Sequence, residues 1–235
     1  MQNKGFFILG TDTNVGKTTI AINLLSFLKN KGYSTIGLKP ISSGSQLSKN
    51  GLRNADALAL QKAATTYLPY DEVNPFCFRL AIAPHIAAAQ QACQLSLAKL
   101  MQSFSSLLKY EADYCIIEGL GGAAVPFNKT ETILDLLQAL NFPVILVVGL
   151  RLGCLNHALL TYEVLKKRNI PIAACIANQI DPDMLFHEEN GLYLKQSIGV
   201  PFFSLVCHQR KNVLDSNICI DWSNLINIKH AAYFN

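Results

Sequence analysis

Residues Gly10–Thr19, Gly-Thr-Asp-Thr-Asn-Val-Gly-Lys-Thr-Thr, decide how the rest of the chain is read. An apolar run, Phe6–Leu9, precedes them and reads as a buried strand, and an amphipathic stretch, Ile20–Leu28, follows and reads as a helix. Strand, glycine-containing loop, Gly-Lys-Thr and helix form the layout of a phosphate-binding P-loop. Backbone N–H groups of such a loop point inward at an anion, and the helix N-terminus adds the positive end of its dipole. Lys17 is placed to reach the outer phosphates, and the Thr18 hydroxyl to ligate Mg²⁺. The spacing departs from the common pattern, because five residues separate Gly10 from Gly16. A strand-to-helix turn with an exposed lysine is the bland alternative, and it leaves Val15-Gly16-Lys17-Thr18-Thr19 unexplained.

Half of the 235 residues are hydrophobic and 15% are charged, which suffices for a large core and argues against disorder. That length suits one α/β domain spanning residues 1–235. The net charge of +4 is mild, and the only tight basic cluster, Lys166-Lys167-Arg168, falls where a helix should end and complements its dipole. No basic patch interleaved with aromatic residues points to nucleic acid as a partner. Seven cysteines are scattered without ligand-like spacing or a Cys-x-x-Cys pair. Cys115 and Cys175 fall inside apolar strands and read as buried thiols, and the whole set fits a reducing cytoplasm. The first apolar run is too short for a signal peptide, and no apolar stretch is long enough to span a bilayer, so no membrane partner is expected.

Gly32 is placed to cap the first helix. Ser34–Leu38 reads as a second strand ending at Lys39-Pro40, where the proline holds Lys39 extended. The polar segment Ile41–Ser45 follows, and Asn54 is a cap for a helix running to about Ala64. Three prolines between Pro69 and Pro84 predict an irregular stretch, and Ser96–Leu108 has helical periodicity. Asp113–Ile117 reads as a strand ending at Glu118, with Gly119, Gly121 and Gly122 after it. Thr132 caps a helix to Leu140, and Pro143–Val148 is an apolar strand leading to Gly149 and the loop Leu152-Gly153-Cys154. A helix over Asn156–Lys167, a strand over Ile172–Ala177 ending at Asn178, a helix over Phe186–Ser197 and a strand over Pro201–Val206 complete the pattern. The tail, with the single Trp222, receives no role. Alternating strands and helices, with strands apolar on both faces, predict a doubly wound, mostly parallel α/β sheet covered by helices on both sides, of the P-loop NTPase type. Ligands in such folds gather at the carboxyl ends of the strands, where the P-loop, Lys39, Glu118, the Gly149–Asn156 loop and Asn178 all fall.

Mg²⁺ prefers hard oxygen ligands. Thr18 offers a hydroxyl, Glu118 a strand-end carboxylate, and Asp56 a carboxylate near the start of a helix that can face the same cleft. Lys39 is a second lysine at the strand ends, suited to stabilising charge that develops in phosphoryl transfer, although alone it reads equally as a surface lysine. Ser42, Ser43 and Ser45 bring hydroxyls beside it. Asn178 can pair with the N6 and N7 edge of adenine or simply form a turn. His157 reads as a capping or packing residue, and His85 and His208 have no visible partners.

Together these residues resemble the dethiobiotin synthetases, ATP-dependent cyclo-ligases of biotin synthesis. The resemblance rests on GTDTNVGKT at Gly10–Thr18, LKPISSGS at Leu38–Ser45, GLRNADALAL at Gly51–Leu60, NPFCF at Asn74–Phe78 and Pro84-His85. It continues through EGLGG at Glu118–Gly122, VILVVGLRLGCLNH at Val144–His157 and IAN at Ile176–Asn178, and more weakly to Gln209. The family pattern contains the five-residue loop spacing. It implies that 7,8-diaminopelargonate, CO₂ (or bicarbonate) and ATP are joined through a carbamate and its mixed anhydride with phosphate, with Mg²⁺ required. The resemblance implies catalytic roles for Lys39 and Lys17, and Mg²⁺ ligands at Thr18, Asp56 and Glu118. Implied nucleotide contacts are Asn14, Val15, Gly16, Lys17, Thr18, Thr19, Asp56, Glu118, Gly119, Leu120, Gly121, Asn178, Gln179, Cys207, His208 and Gln209. Thr11, Lys39 and Ser43 are implied to contact the substrate, and Gly153, Cys154, Leu155 and Asn156 to take its carboxylate across a homodimer interface. Two positions depart from the family pattern: Asn14 stands where some members carry Glu, and Ser204–Gln209 lacks the proline of the adenine loop.

A partner-switching ATPase similar to ParA and MinD is the main alternative. Such proteins share the fold but need a lysine early in the loop, near the position of Asp12, which is acidic here. An amide-forming synthetase of cobalamin type would need a glutaminase domain for which the chain is too short.

Overall fold

The computed structural model describes residues 4–205 and 220–226. Its centre is a six-stranded parallel sheet. Strand β1 (Lys4–Gly10) lies between β7 (Tyr114–Glu118) and β8 (Val144–Leu150). Outside β7 runs β2 (Thr35–Leu38), and outside β8 run β9 (Ile172–Gln179) and β10 (Phe202–Leu205), giving the order β10-β9-β8-β1-β7-β2. All seven residues of β8 and all eight of β9 are buried, as an apolar strand between two helical layers must be.

One layer is built on α1 (Lys17–Asn30), whose Ile20, Ala21, Leu24, Leu25 and Leu28 pack with Phe6, Ile8, Ile116 and Ile145. Full burial of each of those aliphatic side chains contributes roughly 1.5–3 kcal/mol. Helix α2 (Ala55–Ala63) lies beside α1 and packs on β2. The other face carries α6 (Ile133–Leu140), α7 (Cys154–Lys167) and α8 (His187–Ser197). Two predicted caps form. Asn54 accepts from the N–H groups of Asp56 and Ala57 at 3.1 and 3.2 Å, and the N–H and hydroxyl of Thr132 donate to the Asp135 carboxylate at 2.7 and 2.9 Å. Cys115 and Cys175 are buried, and burial pushes both thiols up to about 12. Among the described residues no helix is long and apolar enough to cross a membrane.

Several local expectations are corrected. Helix α1 begins at Lys17 rather than Ile20, so Lys17, Thr18 and Thr19 lie in its first turn with Gly16 as the cap before it. Helix α7 begins at Cys154 rather than Asn156, because Gly153, at φ 91°, turns the chain directly into the helix. Pro69–Pro84 is largely irregular, as over 78–83, but holds two short elements the sequence did not show, α3 (Tyr70–Val73) and β6 (Phe76–Cys77), and Pro84 opens α4 (Pro84–Gln90), where its missing N–H costs no hydrogen bond. The polar segment after Pro40 contributes β3 (Ile41–Ser42), paired with β6, and a hairpin of β4 (Gln46–Ser48) and β5 (Gly51–Arg53). The helical stretch beginning at Ser96 is α5 (Leu97–Ser105), which tightens into a 3-10 turn over Ser106–Lys109. The predicted end of the last sheet strand, Val206, lies outside the described residues. The short helix α9 (Ser223–Ile226) and Trp222 return to the α1 layer.

Candidate active site

At the carboxyl ends of the strands the P-loop borders a cleft of about 690 Å³. The loop itself is held from below. Asn178, at the end of β9 and fully buried, donates to the Val15 carbonyl at 2.8 Å. Gly16, at φ 95°, leaves room for that contact, since a Cβ on it would come within 2.2 Å of the Asn178 amide nitrogen. Asn14 has φ 59°, a left-handed conformation that asparagine enters more readily than a longer side chain.

Two lysines enter the cleft. Lys17 Nζ donates to the Asp12 carbonyl at 2.7 Å. Burial and the neighbouring charge of Lys39 push its pKa down to about 8, against the opposing pull of Glu118 and Asp56. Lys39 is buried, with Nζ 2.6 Å from Glu118 Oε1 and 3.0 Å from Asp56 Oδ2. Burial alone would lower its pKa, but the two carboxylates outweigh it and hold the ammonium above the usual lysine range. The Thr18 hydroxyl donates to the same Glu118 oxygen at 2.9 Å. The other carboxylate oxygen of Glu118, Oε2, is buried and accepts no hydrogen bond.

Of the residues proposed from sequence, Asn14, Gly16, Lys17, Thr18, Thr19, Lys39, Asp56, Glu118, Leu120, Gly121, Asn178 and Gln179 line this one cleft. Val15 lies beneath the loop as a buried residue, and Gly119 is not in the lining. Thr11 lies outside the lining, its backbone N–H on the Val147 carbonyl at 3.0 Å; Thr13, which the sequence reading passed over, lines the cleft. Ile22, Ala55, Ala59 and Ile180 complete the lining, also unforeseen. Ser43 lies outside the lining, as do Gly153, Cys154, Leu155 and Asn156, which form the start of α7. Cys207, His208 and Gln209 lie outside the described residues. Arg151, just before α7, pairs with Asp12 and so joins the P-loop to the β8–α7 connection.

Residues 4–210 match the AAA domain family. Over 206 residues the chain is 47% identical to the ATP-dependent dethiobiotin synthetase BioD of Cellvibrio japonicus (strain Ueda107), covering 88% of this chain and 90% of that protein. It is 41% identical over 208 residues to the enzyme of the same name from Xylella fastidiosa (strain M12), covering 88% and 92%. The chain belongs to the dethiobiotin synthetase family. Solved structures at lower identity share its fold: a ParA family ATPase from Chlorobium tepidum TLS, 15% identical with a TM-score of 0.51 over 87% of this chain and 84% of that one, and the septum site-determining protein MinD complexed with Mg-ADP from Pyrococcus horikoshii OT3, 17% identical with a TM-score of 0.51 over 86% and 79%. This dethiobiotin synthetase family member shares the fold of those ATPases, and in its loop Asp12 pairs with Arg151.

Proposed function

We propose that the protein is an ATP-dependent dethiobiotin synthetase, which converts 7,8-diaminopelargonate, CO₂ and ATP into dethiobiotin, ADP and phosphate. The observation that carries this reading is Lys39. A site that only holds a nucleotide needs the P-loop lysine. A site that also forms carbon–nitrogen bonds next to the γ-phosphate needs a second fixed cation, and Lys39, buried on Glu118 and Asp56, is suited to that task.

In this reading one amine of the substrate attacks CO₂, a nitrogen–carbon bond forms and the amine proton is released. A carbamate oxygen then attacks the γ-phosphorus, and ADP leaves. The second amine attacks the carbonyl carbon of the mixed anhydride, the carbon–oxygen bond to phosphate breaks, and the ureido ring closes. Lys17 bridges the β- and γ-phosphates, while Lys39 holds the carbamate and γ-phosphoryl oxygens as their charge shifts. Asn14–Thr19 with Leu120 and Gly121 surround the phosphates, and Asn178 and Gln179 lie towards the base. Thr11 and Ser43 are the threonine and serine assigned to the substrate.

Thr18, Asp56 and Glu118 fit Mg²⁺. All three are hard oxygen donors, and the buried, unpartnered Oε2 of Glu118 is the kind of atom a cation satisfies. Bound there, Mg²⁺ supplies neutralisation of phosphate charge.

The reading includes a single domain over residues 1–235, supported over the described residues by a central sheet in which β1, from the start of the chain, lies between β7 and β8. It also includes a homodimer in which the start of α7 serves the partner's site. Exposure of Gly153 and Asn156, beside a Leu152 that is 96% exposed, supports an interface there. A purified protein that sediments as a monomer at assay concentration overturns the dimer. Free thiols at Cys77, Cys93, Cys115, Cys154 and Cys175 support a cytoplasmic location, which cell fractionation reads directly. The deciding experiment incubates the protein with diaminopelargonate, bicarbonate, Mg²⁺ and ATP and seeks dethiobiotin by mass spectrometry. ATP consumption without dethiobiotin rejects the function.

A further inference from the structure

Behind Lys39 lies a polar cluster that the reaction scheme does not use. Asn74 is 2% exposed and makes its side-chain hydrogen bonds in three directions. Its Nδ2 donates to the Lys39 carbonyl at 2.5 Å. Its Oδ1 accepts from the Ser42 hydroxyl at 2.7 Å and from the Tyr70 hydroxyl at 3.0 Å. The Tyr70 oxygen in turn accepts the backbone N–H of Asn54 at 2.6 Å. Asn54 caps α2 through the N–H of Asp56, whose carboxylate lies 3.0 Å from Lys39 Nζ. The chain of contacts therefore closes on itself, from the Lys39 backbone through Asn74, Tyr70 and Asn54 to Asp56 and back to the Lys39 ammonium.

The backbone around Lys39 is tied to the same segment. Lys39 N–H donates to the Val73 carbonyl at 2.9 Å, and Phe76 N–H donates to the Pro40 carbonyl at 3.1 Å. Lys39 itself lies between β2 and β3, outside the ladder of the main sheet. Its position is thus set by residues 73–76 rather than by a neighbouring sheet strand. Asparagine suits the junction chemically. The carbonyl of Lys39 needs a donor and the two hydroxyls need an acceptor, and a neutral carboxamide presents both at once.

We infer that Asn74, with Tyr70, is a positioning residue for the reaction, fixing Lys39 and Asp56 relative to each other. This rests on the reading that Lys39 and Asp56 serve dethiobiotin synthesis. A misplacement of about 1 Å in a reacting constellation can cost on the order of 10²-fold in rate.

The test compares Asn74→Asp and Tyr70→Phe with the wild type as full chains. Asn74→Asp keeps the acceptor for both hydroxyls, removes the amide donor to Lys39 and adds a buried carboxyl, while the neutral Tyr70→Phe changes the cluster without adding charge. In Asn74→Asp, turnover per folded molecule should fall by roughly 10²-fold with KM for ATP unchanged, because the P-loop still holds the phosphates. Tyr70→Phe should give a smaller fall, about 10-fold, with the same split. Hydrogen exchange read by mass spectrometry should quicken in peptides covering 38–45 and, for Tyr70→Phe, 54–57. A lower unfolding temperature with wild-type kcat would mean that the cluster only holds the fold, and would overturn the inference. Should Asn74→Asp fail to fold, the milder Tyr70→Phe decides by the same criteria. A wild-type protein that forms no dethiobiotin removes the proposed function and leaves exchange to decide: unchanged exchange at 38–45 overturns the positioning role as well.

Discussion

Lys17 and Lys39 reach one cleft from regions built on opposite rules. The P-loop is a short local structure in which Lys17 rests on a backbone carbonyl, and burial together with Lys39 lowers its pKa to about 8. The Lys39 region is assembled from four separated segments, and there the carboxylates of Glu118 and Asp56 outweigh burial and raise the pKa. The difference teaches how the labour is divided. Charge on Lys17 is favoured when a ligand phosphate joins it, so Lys17 contributes to binding. Charge on Lys39 is already compensated by the protein, so Lys39 is preorganised and can act on charge that develops during reaction.

The sharpest way to break this comparison is to remove each lysine. Lys39→Ala should lower kcat by roughly 10²–10³-fold, the scale for losing one preorganised charge-stabilising donor, and leave nucleotide affinity close to wild type. Lys17→Ala should weaken nucleotide binding as well as turnover. Nucleotide titration with steady-state dethiobiotin formation reads both. Near wild-type turnover in Lys39→Ala would erase the distinction.

Stability offers a second test, through the ion pairs of the two regions. Glu118 is 1% exposed, and Glu118→Gln leaves the buried Lys39 ammonium with Asp56 as its remaining carboxylate within 3.0 Å. A loss of about 3 kcal/mol is expected in denaturant unfolding, the low end for breaking a buried pair, since Asp56 still compensates. In the P-loop region Asp12 and Arg151 are 40% and 41% exposed, so Asp12→Asn should cost less than about 1 kcal/mol. Equal losses would show that burial does not separate the two regions.

What could be read from the sequence follows the same division. The P-loop, the Asn54 and Thr132 caps and the alternation of strands and helices along the chain rest on consecutive residues and local periodicity, so they were legible. Lys39, Asp56 and Glu118 could be named as candidates because each falls at a strand or helix end. Their mutual contacts could not be read, and Asn74 meets Lys39 across 35 residues of chain. The β4–β5 hairpin was hidden because its residues are exposed or half-buried and lack apolar alternation. Thr13, which lines the cleft, offered no sequence signal beyond its place in the loop.

Gly16→Ala probes how the phosphate loop and the sheet are joined. The new Cβ would press on the Asn178 amide at 2.2 Å and would have to adopt φ 95°. Asn178 must then give up its bond to the Val15 carbonyl, or the loop must move. A stability loss of about 2 kcal/mol is expected from the strain, together with weaker nucleotide binding. Denaturant unfolding and nucleotide titration measure the two effects, and an unchanged protein would mean that the loop accommodates a side chain without cost.

The smallest effect on turnover should come from Trp222, which tests where the chemical region ends. Its indole is fully buried against the α1 layer, donates through Nε1 to Asn23 Oδ1 at 2.8 Å and lies 5.8 Å from the Phe203 ring. Trp222→Phe keeps an aromatic ring beside Phe203 but loses the N–H and some volume. The lost hydrogen bond should cost about 1 kcal/mol, and the reduced packing adds a similar or smaller amount. Asn23 lies six residues along α1 from Lys17, so the anchor bears on how the helix is packed and not on the cleft. Unfolding should therefore occur at lower denaturant while kcat and KM for ATP stay at wild-type values. A kcat deficit approaching that of Lys39→Ala would show that the packing of α1 controls the lysines. The separation between a binding region and a preorganised region would then fail, because both would depend on one distant contact.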